Sequence, residues 1–412
     1  MRKPLSAVVL ILALLVPTLA ACGSTGTGGA ATAAPVAVST TAPVAVSTDA
    51  PAATAMVEAT AMMEATAAPE ATAMMEATAA PEATAMTDAT AMTDATAGAT
   101  TGGKKLRVGL VTDVGKVNDG TFNQFAYEGL KKAEADLGVE TAYIETQAQT
   151  DYVKNIEQFA TQGYDVIIGV GFLMGDAIKA AAEKYPNIKF AIADYAYSPD
   201  LPNAQGLVFA EDESGYLAGA LAASMSTSGT VGVVGGIEGV PAVKKFVLGY
   251  EAGAKSIKPD IDVKKVYIAS FTDRAKGGEA AKSFIAEGAD VIFGAGGQTG
   301  SGAIQAAAQD GVYVIGVDQD EYVTTFQNGK APGADKILSS AGKRVDVAVF
   351  NAIKAAQDGS FKGATVLFNA KNDGVGLTDF HDAKVPADVQ TKLQSIQKGL
   401  ADGSIKTGVE IK

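Results

Sequence analysis

Residues 106–133 read LRVGLVTDVGKVNDGTFNQFAYEGLKKA, and this stretch decides how the chain folds. An apolar run ends at Asp113, a polar loop rich in glycine follows, and a helical pattern begins near Thr121. This order predicts a β-strand that feeds an α-helix through a loop, the repeating unit of open α/β sheets. Because small ligands bind beyond the carboxyl ends of such strands, we expect a binding site at this loop.

The same alternation of apolar runs and amphipathic segments continues along the chain. It predicts strands at 106–112, 140–146, 165–171, 188–194, 205–210, 231–235, 263–269, 291–295, 312–318, 336–340 and 364–369. It predicts helices at 121–136, 151–162, 174–185, 212–226, 240–257, 275–288, 300–310, 344–358 and 386–402. Almost wholly apolar runs such as Asp165–Gly171 are typical of parallel strands that helices cover on both faces. The predicted fold class is therefore α/β.

These strands are too many for one sheet, and a folded part of about 300 residues forms two lobes more naturally than one. We predict two doubly wound parallel-sheet lobes, joined by a hinge, with a central ligand cleft. The first lobe is predicted to hold residues 104–211 and 335–360. The second is predicted to hold residues 212–334 and 361–412.

The first 22 residues have the pattern of a targeting signal. A basic start and an apolar core, Ala7–Leu15, precede Leu19–Cys22. That core is too short for a bilayer span, which needs about 20 apolar residues. Leu19–Cys22 resembles a bacterial lipobox, which predicts a lipid on Cys22 and anchoring at the extracytoplasmic face of the cell membrane; the alternative is an ordinary secretory signal. Because Cys22 is the only cysteine, we expect no disulfide in the folded part.

Residues 23–103 contain no Lys, Arg or large aromatic residue, and acidic residues recur every six positions between Glu58 and Asp94. A period of six fits neither a helical stripe nor a strand, and this composition cannot bury enough apolar surface to fold. We predict a disordered Ala/Thr/Met/Glu repeat tether, which would span roughly 50 Å as a coil. A glycosylated stalk and a simple repeat expansion are alternatives, and both keep the tethering role.

The charge balance excludes several classes of partner. Residues 104–412 carry 31 basic and 38 acidic side chains, without a basic stripe for nucleic acid or anionic lipid. The arginines of this part, Arg107, Arg274 and Arg344, are dispersed, so no bidentate clamp for a carboxylate or phosphate is indicated. We expect no nucleic-acid partner and no anionic ligand.

Carboxylates and glycines alternate at the predicted strand ends. They are Asp113, Gly171, Asp194, Gly236, Gly296 and Asp318. Carboxylates accept hydrogen bonds from hydroxyl and N–H groups but repel anions. A sugar or a nucleoside fits such a cleft, and a nucleotide does not. Asp318 is a candidate for a ribose, because one carboxylate can accept from two vicinal hydroxyls.

Two phenylalanines open comparable helices in the two predicted lobes. Phe122 could begin the buried face of its helix or stack on a ligand, and the same two interpretations hold for Phe246. A base between the two rings would gain about 1–3 kcal/mol from stacking. Asn123 could pair with a heterocycle edge or cap the turn, and Asp119 could contact the ligand or cap the helix. Lys343 could donate to a ligand hydroxyl, pair with an acid of the cleft, or be solvated.

A different class of function is a remote alternative. Residues 291–302 resemble a dinucleotide fingerprint, but Thr299 stands where the third glycine belongs, so an NAD-dependent oxidoreductase is weakly supported. The single histidine, His381, makes catalytic triads and metal sites improbable and is interpreted as structural. We expect a binding protein without cofactor or enzymatic activity, although carboxylate pairs leave a nucleoside hydrolase formally open.

Taken together, the motifs resemble the basic-membrane-protein family of lipoproteins, which are substrate-binding proteins of ABC importers. The resemblance covers most of residues 105–380. Its motifs, in family order, are Asp113-x-Gly115, Asn118-Asp119-Gly-Thr-Phe-Asn123, Glu128-Gly129, Glu213-Ser-Gly-Tyr-Leu-Ala-Gly219, Gly235-Gly236, Phe246 with Gly249-Tyr250, Gly296-Gly297, Gly316-Val-Asp318 and Ser340-x-x-Lys343. Several motifs in order are more specific than any one of them.

The resemblance implies a type I periplasmic-binding-protein fold and a purine nucleoside as ligand. The implied contacts are base stacking for Phe122 and Phe246, base hydrogen bonding for Asn123 and Asp194, ribose hydrogen bonding for Asp318 with Lys343 nearby, and the cavity wall for Asp113 and Gly296. It also implies an ABC permease with its ATPase as partners of a monomeric receptor. Because some family members take other ligands, a sugar or vitamin-like ligand and a sensor role stay open.

Overall fold

The structure of the chain is a computed structural model that describes residues 104–411. The predicted signal peptide (1–22) with its lipidation site Cys22, and the predicted tether (23–103), lie outside the described residues. The described chain alternates strands and helices almost throughout, as the periodicity of the sequence predicts.

The strands are β1 Arg107–Val114, β2 Glu140–Thr146, β3 Val166–Val170, β4 Lys189–Ala193, β5 Ala204–Phe209, β6 Thr230–Gly235, β7 Asp262–Tyr267, β8 Val291–Ala295, β9 Tyr313–Asp318, β10 Ile337–Lys343, β11 Thr365–Phe368 and β12 Val375–Leu377. The helices are α1 Phe122–Leu137, α2 Tyr152–Thr161, α3 Gly175–Lys184, α4 Glu211–Met225, α5 Pro241–Ile257, α6 Arg274–Ala286, α7 Gly297–Gln309, α8 Val345–Asp358 and α9 Ala387–Asp402.

The strands form two six-stranded sheets, one in each lobe. The first has the order β11-β5-β4-β3-β1-β2, and all its pairs are parallel. The second has the order β12-β10-β9-β8-β6-β7 and is parallel except for β12, which runs antiparallel to β10. The two-lobed α/β fold predicted from the sequence is confirmed. The parallel strands of each sheet deliver their carboxyl ends to one edge.

The chain passes between the lobes three times, after β5, after β10 and after β11. The return segments fall differently from the expectation for 335–360 and 361–412. β10 pairs with β9 in the second sheet, and only α8 returns to the first lobe, where it packs against α1. β11 pairs with β5 in the first sheet. Apolar periodicity identifies a strand but not its partner, because strand pairing is a long-range choice.

The core of each lobe is built from strands that are buried on both faces. Residues 166–170 and 291–295 are buried throughout, as expected for parallel strands between two layers of helices. Among the helices of residues 104–411, none combines the length and the apolar composition that a bilayer span requires.

Candidate functional site

A cavity lies where the strand ends of the two lobes meet. Clefts at the carboxyl ends of parallel strands are where small ligands bind in open α/β folds. Nine residues were singled out from the sequence as ligand contacts, and all nine line this cavity. They are Asp113, Asp119, Phe122, Asn123, Asp194, Phe246, Gly296, Asp318 and Lys343.

The loop between β1 and α1 is organised by Asp119. One carboxylate oxygen accepts hydrogen bonds from the backbone N–H groups of Thr121, at 2.8 Å, and Gln124, at 3.1 Å. The other accepts from the backbone N–H of Asn123, at 3.1 Å. These are the free N–H groups of the first turn of α1, and a negative charge is favoured there. Of the two roles open to Asp119, helix capping describes the hydrogen bonds that the structure contains.

Asn123 is also held by the protein. Its side-chain oxygen accepts from the backbone N–H of Asp113, at 2.9 Å, and its side-chain nitrogen donates to Asp119, at 3.0 Å. The hydroxyl of Tyr152 donates to the carboxylate of Asp113. Burial raises the pKa values of Asp113 and Asp119. The first-lobe wall is therefore a hydrogen-bonded loop in which most polar groups already have protein partners.

Two glycines let backbone segments form the wall. Gly171 has φ +114°, and a Cβ there would lie 2.9 Å from a carboxylate oxygen of Asp113. At Gly296 a Cβ would lie 2.5 Å from the backbone nitrogen of Gly236. Since real Cβ atoms do not approach other atoms so closely, a larger residue would displace either wall.

The two phenylalanines face one ammonium group from different lobes. Phe122 is the first residue of α1 and is half-buried, and Phe246 lies in α5 and is buried. The Nζ of Lys343 lies 4.9 Å from the Phe122 ring centroid and 5.8 Å from that of Phe246. Both rings line the cavity and also pack against the cores of their lobes, so stacking on a ligand stays a prediction.

Lys343 is buried in a cluster of charges. It is 1% exposed and its Nζ lies 2.7 Å from the carboxylate of Asp194 and 3.1 Å from Glu211 Oε1. Burial disfavours the ammonium, but the carboxylates of Asp194, Glu211 and Asp318 outweigh it and raise the pKa of Lys343. Lys343 therefore pairs with acids at the cavity rather than being solvated.

The two acids beside Lys343, Asp194 and Glu211, have pKa values shifted in opposite directions. Burial raises the pKa of Asp194 to about 6, although Lys343 opposes this shift. Burial would also raise the pKa of Glu211, but Lys343 and Lys245 outweigh it and hold that pKa below its ordinary value. Both carboxylate oxygens of Asp194 lie 2.7 Å from the Nζ of Lys343, so this acid already faces the ammonium within the protein.

Asp318 ends β9 and is 6% exposed. Its backbone has φ +65°, a left-handed conformation that is rare outside glycine and common at functional sites. Burial raises the pKa of its carboxyl to about 7, and no hydrogen bond from residues 104–411 opposes that rise. A carboxylate with this little protein solvation is suited to accept ligand hydroxyls.

Two hydrogen bonds join the lobes beside the cavity. The side-chain amide of Gln319 donates to the backbone oxygen of Thr121, at 3.1 Å, and the hydroxyl of Thr324 donates to that of Gly120, at 2.7 Å. Glu321 anchors this segment to the second lobe, because its carboxylate accepts hydrogen bonds from the hydroxyl of Ser301 and from the backbone N–H of Val317. The segment that carries Asp318 therefore also bridges to the loop that carries Phe122.

Sequence reasoning missed several residues of the site. Phe172, Phe271 and Gln298 line the cavity from loops or helix starts, where no periodicity marks them. Glu211 follows a strand at a helix start, where an acidic residue is explained by the helix dipole alone. His381 lies away from the cavity, pairs with Asp320 at 2.5 Å and stacks on Tyr322. In residues 104–411 no cluster of His, Cys, Asp and Glu is arranged to hold a metal ion.

Comparison with known proteins gives consistent matches. Residues 106–407 match the Bmp family model, described as ABC transporter substrate-binding protein PnrA-like. The "ABC transporter nucleoside-binding protein BmpA" of Lactococcus lactis is 36% identical over 66% of this chain and 81% of its own. An "uncharacterized lipoprotein" of Pyrococcus horikoshii is 34% identical over 68% of this chain and 71% of its own. Among solved structures, an ABC transporter solute-binding protein from Aeropyrum pernix has a TM-score of 0.65 and 26% identity, covering 73% of this chain and 92% of that one.

Proposed function

Because the chain belongs to the Bmp family of PnrA-like ABC transporter substrate-binding proteins, we propose that it captures a purine nucleoside between its lobes and delivers it to an ABC permease with its ATPase. The observation that carries the proposal is that one cavity is lined by the rings of Phe122 and Phe246 and by the carboxylate of Asp318, which accepts no hydrogen bond from the described residues. A nucleoside offers a flat base and a diol, which are the two chemistries that these groups recognise.

The base half of the ligand fits the aromatic side of the cavity. Phe122 and Phe246 would stack on the two faces of a purine, a contact of about 1–3 kcal/mol per base. Asp194 lines the same cavity and pairs with Lys343, and its carboxylate would also accept a hydrogen bond from a base N–H. The name of the Lactococcus relative, which includes nucleoside binding, supports this choice over a sugar or a vitamin-like ligand.

The sugar half fits the acidic side of the cavity. Asp318 would accept from the ribose hydroxyls, and Lys343 beside it would complete the contact. A phosphate in this position would face Asp318 and Asp194 at close range. The arrangement therefore favours a nucleoside over a nucleotide.

Capture involves closure and no covalent chemistry. An open form would admit the ligand, and the interlobe hydrogen bonds of Gln319 and Thr324 would add to the closed form. The ligand shifts this balance only by its preference for the closed form. We propose that the closed protein is presented to the permease as a monomer, at the extracytoplasmic face, by a lipid on Cys22 and the tether of residues 23–103.

The test is calorimetry of the purified full chain with guanosine, adenosine, inosine, guanosine monophosphate and ribose. We expect saturable binding of at least one purine nucleoside and much weaker binding of the monophosphate and of ribose. Mass spectrometry of small molecules released from the purified protein identifies a ligand that co-purifies. Tight binding of ribose alone would contradict the proposal. Release of free base from guanosine would show a hydrolase instead.

A further inference from the structure

We infer that Glu211 and Lys245, which lie behind the cavity wall, are a counter-charge pair that positions Lys343 and sets the charge that Lys343 presents to Asp318. The inference rests on the proposed function, because it assigns a purpose to a charge cluster beside the proposed ribose contact. Neither residue lines the cavity, so any effect on it passes through the neighbouring charges Lys343 and Asp194.

The charges form a continuous chain. Asp194 lies 2.7 Å from the Nζ of Lys343, and the same ammonium lies 3.1 Å from Glu211 Oε1. The second oxygen of Glu211 lies 2.9 Å from the Nζ of Lys245. Lys245 also donates to the backbone oxygen of Phe209, at 2.9 Å. The order from the cavity outward is therefore acid, base, acid, base.

The members of this chain come from elements that meet at the crossings between the lobes. Lys343 is the last residue of β10 and Glu211 is the first of α4, each next to a crossing. Lys245 precedes Phe246 in α5. The side chains of Lys343 and Glu211 are 2% and 1% exposed, so water screens their interaction poorly. A charge removed from Glu211 therefore acts on its neighbours with little screening, whereas the Lys245 side chain is 29% exposed and its charge is screened more.

The groups that face Asp318 define what this pair controls. Lys343 is the cation that favours its ionisation, while Asp194, Asp119 and Glu321 oppose it. Lys343 itself faces Asp194, Glu211 and Asp318, and Glu211 faces Lys343 and Lys245. The negative charge of Glu211 thus offsets part of the positive potential of Lys343 at Asp318. The positive charge of Lys245 in turn offsets part of the negative charge of Glu211. The two residues act on Asp318 with opposite signs.

The experiment is a pH titration of the Asp318 carboxyl in the ligand-free full chain, followed by carbon NMR with labelled aspartate and assigned by loss of the signal in Asp318→Asn. We expect Glu211→Gln to lower the titration midpoint by about half a pH unit or more, and Lys245→Met to raise it by a similar amount. Lys245→Arg keeps the charge and is expected to restore the midpoint of the parent chain.

A matched control exists on the outer side of α5. Glu251 and Lys265 also form an ion pair, but neither touches the cavity. Glu251→Gln and Lys265→Met are therefore expected to leave the Asp318 midpoint unchanged. Thermal unfolding of every variant shows whether it is folded at the temperature of the titration.

The outcomes separate this inference from the proposed function. Opposite shifts in Glu211→Gln and Lys245→Met support the inference, and parallel shifts or none overturn it, whether or not a nucleoside binds. Calorimetry with guanosine on the same variants then tests the effect on binding. If the parent chain binds guanosine, the pH at which its affinity falls on the acid side is expected to shift with the Asp318 midpoint. If the parent chain binds no nucleoside, the proposed function fails while the titration still decides the inference.

Discussion

The two lobes hold their aromatic walls in different ways. In the first lobe, Phe122 begins a helix whose first turn is held in place by the hydrogen bonds of Asp119 and Asn123. In the second lobe, Phe246 lies within α5, which packs on α4 at backbone contact distance. A Cβ at Gly215 would lie 2.4 Å from the backbone oxygen of Phe246. One wall is fixed by polar contacts of a loop, and the other by close packing of two helices.

This difference has a physical consequence. The hydrogen bonds of the first wall are buried, so breaking one without a replacement partner costs about 1–3 kcal/mol. A close-packed helix pair has one arrangement, because any shift creates overlap or a void. The second wall therefore presents a rigid surface to the cavity.

The largest expected effect is in the packed wall. Gly219→Ala places a Cβ 1.9 Å from the backbone oxygen of Tyr250, so α4 and α5 must separate. We expect a loss of about 3 kcal/mol in the free energy of unfolding, measured by urea denaturation. Gly239→Ala is the matched control, since its Cβ would meet no atom within 4 Å. A neutral Gly219→Ala would refute the description of this wall as rigid.

The next effect separates affinity from stability. Phe122→Ala, Phe246→Ala and Asp318→Ala are each expected to weaken nucleoside binding at least tenfold by calorimetry, or about 1.4 kcal/mol. Phe246 is 4% exposed and packs on Phe293, so its replacement also costs about 3 kcal/mol of stability. Half-buried Phe122 is expected to cost less. Unchanged affinity in Phe122→Ala and Asp318→Ala would refute the site.

Two buried acids, Asp318 in the cavity wall and Glu321 behind it, make stability and affinity change with pH in opposite directions. Asp318 and Glu321 have pKa values raised to about 7 by burial, above their unfolded values. Such groups contribute their full stabilisation below about pH 4, and this contribution is lost as the pH rises to about 7. We expect the melting temperature of the ligand-free chain to fall between about pH 4 and about pH 7. Nucleoside affinity is expected to rise as the pH passes about 7, because ionised Asp318 is the better acceptor. Asp318→Asn is expected to flatten the affinity curve and to reduce, but not abolish, the slope of the melting temperature, because Glu321 remains.

The smallest effect is expected at the bridge between the lobes. Gln319→Met and Thr324→Val each remove one interlobe hydrogen bond while keeping the side-chain volume, which costs the closed form about 0.5–1.5 kcal/mol. Affinity is expected to fall several-fold, mainly through faster ligand release, measured by stopped-flow fluorescence. Gln394→Met on the exposed face of α9 is the matched control. Equal release rates would mean that these contacts do not stabilise closure.

Much of this molecule follows from its sequence. The sequence pattern locates strands such as β2 and β8 at their observed bounds, and for β8 burial of every residue explains its wholly apolar composition. The rule that parallel strands end at one edge brings Asp113, Asp194 and Asp318 to one cavity. Periodicity gives local structure, and topology converts it into a site.

Other features could not be predicted in this way. β12 has three residues and no apolar run that would mark it. The lobe of β10 and β11 depends on which distant strand each one pairs with. The ion pairs of Glu211 depend on side-chain geometry between distant segments. Sequence spacing carries no record of such contacts.

The third crossing between the lobes has a consequence for how the protein matures. β11 completes the edge of the first sheet beside β5, and β12 and α9 complete the second lobe, so the last-made part of the chain finishes both halves. Until residues 365–377 have emerged, β5 and β10 both present unpaired backbone at a sheet edge, the kind of surface on which chains aggregate. The first sheet is complete only at Phe368, and the second lobe only with β12 and α9, which follow. A chain interrupted anywhere before β11 therefore yields two unfinished sheets, instead of one working half and one missing half.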